Sequence, residues 1–190
     1  MRSVIRAGLL ALGTVLAASP LSAPAQEALA VIAPEARDGR TDFDFEVGRW
    51  RTQVKRLRKP LSGSMEWVDY EGTSIVHRFL DGGANLVELS VSGPAGRIEG
   101  VSLRLYHPEG RQWSVHYAGA ADGELTAPLY GRFEGGRGEF LGDDTFGGRP
   151  IRVRFVISQV DADTARFEQA FSTDGGKTWE VNWIATDTRL

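Results

Sequence analysis

Turns constrain this chain more than any other feature. Lys59-Pro60, Asp81-Gly82-Gly83, Gly93-Pro94, Pro108-Glu109-Gly110, Gly135-Gly136, Gly147-Gly148 and Asp174-Gly175-Gly176 cut the stretch after Phe43 into short segments. Within those segments apolar residues mostly alternate with polar ones, and no long helical period competes. Alternation at period two between turn signals marks half-buried strands, and a meander of them makes a sandwich or a barrel. The pattern predicts an all-β fold, an antiparallel up-and-down barrel of about ten strands.

The turns also predict which residues share a face. With Pro108-Glu109-Gly110 as a three-residue loop, Leu105 faces Trp113, Leu103 faces Val115 and Val101 faces Tyr117. Six apolar side chains then point inward, and Ser102, Arg104, Ser114 and His116 point outward. A three-residue loop at Asp81-Gly82-Gly83 pairs Ile75 with Leu89 and His77 with Val87, which places His77 inside between Ile75 and Phe79. At Asp174-Gly175-Gly176 the pairs are Phe171 with Trp179, Gln169 with Val181 and Phe167 with Trp183. Two-residue loops fit Gly135-Gly136 and Gly147-Gly148. They put Leu129, Phe133, Phe140, Ile151, Val153 and Phe155 on one face. They also set Arg132 opposite Glu139 and Asp143 opposite Arg152 outside, and Arg154 joins them there. Such exposed pairs contribute only ~0–1 kcal/mol each and read as surface, not as catalytic acids and bases.

The N-terminus carries a different signal. Arg2 and Arg6 precede an apolar run from Ala7 to Ala18, and Ala23-Pro24-Ala25 supplies small residues for cleavage. This is the pattern of a secretory signal peptide over 1–25, so a periplasmic or secreted protein is expected. Residues 26–42, rich in Ala, Pro and charge, read as a flexible leader before a barrel domain over 43–190. No later segment approaches the ~20 apolar residues of a membrane helix. Removing Arg2 and Arg6 takes the formal net charge from −3 to −5, with no basic run, which argues against a nucleic-acid partner. The chain has no Cys, so neither disulfides nor a thiolate metal site is available to it.

Two motifs are structural in reading. Ser172-Thr173-Asp174-Gly175-Gly176-Lys177-Thr178-Trp179 fits the Asp-box pattern, in which Asp accepts backbone N–H bonds across a hairpin turn and Trp anchors it. Gly48-Arg49-Trp50 opens the first strand and Arg189 follows the last. A cation–π contact between Trp50 and Arg189 would tie the barrel's ends together, worth ~0.5–2 kcal/mol.

Several motifs recur together in one family. They include Phe43-Asp44-Phe45, Gly48-Arg49-Trp50, Gly131-Arg132-Phe133, Gly142-Asp143-Asp144, Asp174-Gly175-Gly176-Lys177-Thr178-Trp179-Glu180 and Asn182-Trp183. On these the chain resembles a bacterial lipocalin-like (calycin-like) domain family of unknown function, over about Phe43 to Arg189. The resemblance implies a fold and offers no catalytic residues.

A barrel of this size has room for one small ligand. The derived inward face makes His77, Tyr117, Phe167, Gln169 and Trp183 the candidate cavity residues, with His77 the titratable group among them. A buried neutral imidazole beside Tyr117 and Gln169 suits a small, largely aromatic, neutral ligand. Fatty acids would need an inward Arg, and Arg104, Arg152 and Arg154 are placed outside. Two alternatives remain: a structural or partner-binding envelope protein with a filled core, or a non-hydrolytic barrel enzyme using His77 with Tyr117 or Gln169. His107 and His116 do not converge with His77, so no three-His zinc site is expected. No haem or other cofactor is expected, since the last strand offers no His. A small apolar molecule is the expected partner, and no protein partner is indicated.

Overall fold

The structure, a computed structural model, describes residues 38–190. The expected signal peptide and most of the expected leader lie outside the described residues. Ten strands follow in order: β1 (Gly48–Leu57), β2 (Trp67–Phe79), β3 (Ala84–Gly93), β4 (Gly96–His107), β5 (Gln112–Gly119), β6 (Leu129–Glu134), β7 (Arg137–Phe146), β8 (Arg149–Gln159), β9 (Thr164–Ser172) and β10 (Glu180–Arg189). Each pairs antiparallel with its sequence neighbours, and β10 pairs with β1, closing the barrel. Closure leaves no exposed sheet edge to manage. No helix among the described residues is long and apolar enough to cross a membrane.

The hairpins of β6, β7 and β8 have the expected register. Arg132 lies opposite Glu139 and Asp143 opposite Arg152. The glycine pairs take φ of 57° and 80° at Gly135-Gly136 and 57° and 75° at Gly147-Gly148. Positive φ at both central residues matches the right-handed twist of the flanking strands, and glycine adopts it without steric cost. Phe133, Phe140, Ile151 and Val153 are buried together as a result.

Two other hairpins differ from expectation by one residue. His107 pairs with Gln112, so the loop is four residues long and Arg111, not Gly110, takes the left-handed conformation at φ 47°. A one-residue slip turns every side chain of a strand over. Val101, Leu103 and Leu105 therefore sit outside, and Ser102 and Arg104 face inward with Val115 and Tyr117. Phe79 pairs with Ala84, again a four-residue loop, with Leu80 and Asp81 at φ 50° and 52°. This places Ser74 and Val76 inside and Ile75, His77 and Phe79 outside. In both hairpins the second strand has the expected faces and the first is reversed. At the Asp-box hairpin Glu180 pairs with Phe171, and a bulge between Val181 and Trp183 brings Gln169 opposite Trp183. The inward faces of Phe167, Gln169 and Trp183 survive that change.

The chain before β1 lies across one end of the barrel. Phe43 is 2% exposed and meets Trp113 and Phe133 edge-on, with ring centroids 4.9 and 4.8 Å away. Gly39 is buried as well, its N–H donating to the Tyr106 hydroxyl at 3.0 Å. The Arg189 guanidinium stacks 4.1 Å from the Trp50 ring centre and donates to the carbonyls of Phe45 and Val47. The Trp50 indole N–H donates to the Glu46 carbonyl at 2.6 Å. One arginine thus ties the last strand to the first strand and to the segment before it.

Candidate ligand cavity

A cavity of about 730 Å³ occupies the barrel interior. It runs from Glu46, Thr52 and Asp187 at the end crossed by the N-terminal segment to Ala120, Asp122 and Thr126 in the loop after β5. The strands explain its shape. β5 and β6 pair over only three positions, Trp113 to Val115 with Leu129 to Gly131. Beyond them the loop is held by reciprocal bonds between Tyr117 and Thr126, from Thr126 N–H to the Tyr117 carbonyl at 2.8 Å and from Tyr117 N–H to Thr126 Oγ1 at 3.0 Å.

The upper walls are aromatic. Phe155 and Phe167 meet edge-on at 5.0 Å. Trp183 lies 5.8 Å from the Arg56 guanidinium. Gln169 lines the cavity and donates from its amide to Asn182 Oδ1 at 2.8 Å. The Tyr117 phenol crosses Gly100 so closely that a Cβ there would fall 2.4 Å from its hydroxyl. Burial raises the Tyr117 pKa, so the phenol stays protonated at neutral pH.

The floor is polar. Arg104, 6% exposed, pairs with Glu46 in a buried salt bridge and lies 4.2 Å from the Phe43 ring centre. Beside that pair, the Asp187 carboxylate accepts from the hydroxyls of Thr52 and Ser74, which also bond each other at 2.8 Å. Burial pushes the Asp187 carboxyl up to about 6, and the charge of Glu46 acts in the same direction. The two hydroxyls and the charge of Arg104 oppose the shift. Among the described residues, Arg104 Nε and Asn85 Oδ1 are buried without a hydrogen-bond partner. A carboxyl shifted toward neutrality in a cavity, beside the unsatisfied Arg104 Nε, makes this floor a candidate functional site.

Four of the five candidate residues line this cavity: Tyr117, Phe167, Gln169 and Trp183. His77 does not. Its side chain is 47% exposed on the outer face, 3.8 Å from Glu88 on the neighbouring strand. Arg104, expected outside, lies at the floor. Glu46, Thr52, Ser74 and Asp187 were missed by reading the sequence. For Thr52 and Asp187 a signal existed: each shares strand parity with an inward tryptophan, Trp50 and Trp183 respectively. Arg104 and Ser74 could not be found without the correct loop lengths.

No family model matches the chain, and no curated protein matches it. Among solved structures it is similar to the crystal structure of the ywiB protein from Bacillus subtilis. That match has 14% identity and a TM-score of 0.36, and covers 75% of this chain and 92% of that one.

Proposed function

We propose that this protein is an exported, lipocalin-like carrier that binds one small, largely apolar or aromatic molecule inside its barrel. The observation that carries this reading is the cavity itself. At about 730 Å³ it falls within the volume range of small-molecule sites, and it joins apolar walls to a few convergent polar groups. A filled interior would have favoured a purely structural or partner-binding role. A preference for a neutral ligand would require His77 as the interior titratable group. With His77 on the outer face, the enzyme reading based on it has no support.

Mass spectrometry of the natively purified protein, together with titration of the neutral fluorophore N-phenylnaphthylamine, tests the proposal. Saturable one-to-one fluorescence enhancement is expected, weakened by Trp183→Ala and unaffected by His77→Ala. Absence of both a co-purified molecule and probe binding would refute it. Export is tested separately by N-terminal sequencing of exported material, which should begin at or near Gln26.

A further inference from the structure

Resting on the reading of the barrel as a ligand carrier, we infer that the cavity takes an amphiphilic organic cation, with its ammonium group on Asp187 and its apolar body between Phe155, Phe167 and Trp183. Two observations converge on this assignment.

The first is the charge left over after the pairs are made. Among the charged residues lining the cavity, Arg104 pairs with Glu46 and Arg97 with Glu99. That leaves Arg56 against Asp122, Asp144 and Asp187. Arg56 lies toward the mouth, over Trp183, so the floor itself carries the uncompensated negative charge of Asp187. An ionised carboxylate in an apolar cavity is costly unless a counter-charge reaches it, and a cationic ligand supplies one.

The second is the geometry of the carboxylate. Asp187 has Thr52 and Ala165 as its strand neighbours on β1 and β9. Among the described residues, both protein hydrogen bonds to the carboxylate, from Thr52 and Ser74, fall on Oδ1. Oδ2 is left to the cavity. The charged groups acting on Asp187 are Glu46, from the segment before β1, and Arg104, from β4. They neutralise each other and leave Asp187 without a cation of its own.

A group bearing several N–H donors satisfies the open Oδ2 of Asp187 better than a carbonyl or an ether does. A metal ion is a poorer fit, because among the described residues no three His, Asp or Glu side chains are grouped to hold one. The aromatic wall residues pack against the apolar body of such a ligand.

The test is competition against N-phenylnaphthylamine by three ligands sharing one ring: naphthylethylamine, naphthylethanol and naphthylacetate. The expected result near pH 8 is that the amine competes about tenfold more tightly than the alcohol, with the carboxylate weakest. Near pH 5 Asp187 is mostly protonated while the amine keeps its charge, so the advantage should shrink to about twofold or less. In Asp187→Asn, which keeps the shape of the side chain, the advantage of the amine over the alcohol should vanish at both pH values. Equal competition by amine and alcohol near pH 8, with the fluorophore bound, overturns this inference and leaves the carrier reading standing. Preference for the carboxylate overturns it in favour of Arg104 as anchor. Failure of the fluorophore to bind the wild-type protein, with no co-purified molecule in it, refutes the carrier reading, and this inference with it.

Discussion

The floor of this barrel is built in two contrasting ways. On the side of β5 to β8, Phe43 is enclosed by Trp113, Phe133 and Phe140, all 8% exposed or less. On the side of β1, β2 and β10, Thr52, Ser74 and Asp187 form a hydrogen-bonded group facing open volume, beside the Glu46–Arg104 pair. The first arrangement buries large apolar surface, and the Trp113 indole N–H within it donates to the Gly39 carbonyl at 3.2 Å. The second desolvates a carboxylate. The aromatic side therefore stabilises the fold, and the polar side costs stability. Substitutions on the two sides should differ in sign as well as in size.

The largest effect belongs to the aromatic side and to the closure beside it. Phe43→Ala and Trp50→Ala should each destabilise by ~3–5 kcal/mol in chemical denaturation, because each removes a buried ring that neighbours cannot replace. Against a total stability of ~5–15 kcal/mol, either variant is close to unfolding. A neutral Trp50→Ala would contradict the closure by Arg189. Next comes the buried ion pair. Arg104→Ala leaves the Glu46 carboxylate desolvated and unpaired, which should cost ~3 kcal/mol or more. The double variant Arg104→Met with Glu46→Gln should recover most of that loss. If it does not, the pair is more than a compensated burial.

A smaller effect of opposite sign is expected at Asp187. A carboxyl whose pKa is higher in the folded than in the unfolded state stabilises the fold only while protonated. The contribution is complete below about 3.8 and is lost as pH rises through about 6. Asp187→Asn should thus be more stable than wild type at neutral pH by about 1 kcal/mol, discounted for water in the cavity, and should flatten the pH dependence between those limits. Thermal melts across the range check both. The smallest effect is at His77. Its side chain is half exposed, so His77→Ala should change stability by less than ~0.5 kcal/mol. A large loss there would restore the inward register of β2.

The same contrast governs what could be read from the sequence. The aromatic side was legible because Gly135-Gly136 and Gly147-Gly148 fix two-residue loops, and loop length fixes register. The closure by Trp50 and Arg189 was legible from position and chemistry. Ser74 and Arg104 in the polar floor were hidden by two loops that run one residue longer than their glycines suggest. Leu80, Asp81 and Arg111 adopt positive φ, a conformation that such residues seldom take, and no local signal announces it. Hydrophobicity then misled, because Val101, Leu103 and Leu105 outnumber the polar residues between them, yet Arg104 is the one buried. Its partner Glu46 lies 58 residues away in sequence and belongs to no strand. Burial of Arg104 depends on that distant carboxylate, which alternation within one hairpin cannot reveal.

The central claim is that a carboxylate, not an imidazole, is the titrating group inside the barrel. Carboxyl-carbon NMR of the aspartates, recorded across a pH titration with and without naphthylethylamine, tests it most directly. The account predicts that Asp187 titrates at about 6 in the free protein and at a lower pH once the amine is bound. An Asp187 resonance titrating near the ordinary value of 3.8, and indifferent to the amine, would contradict it.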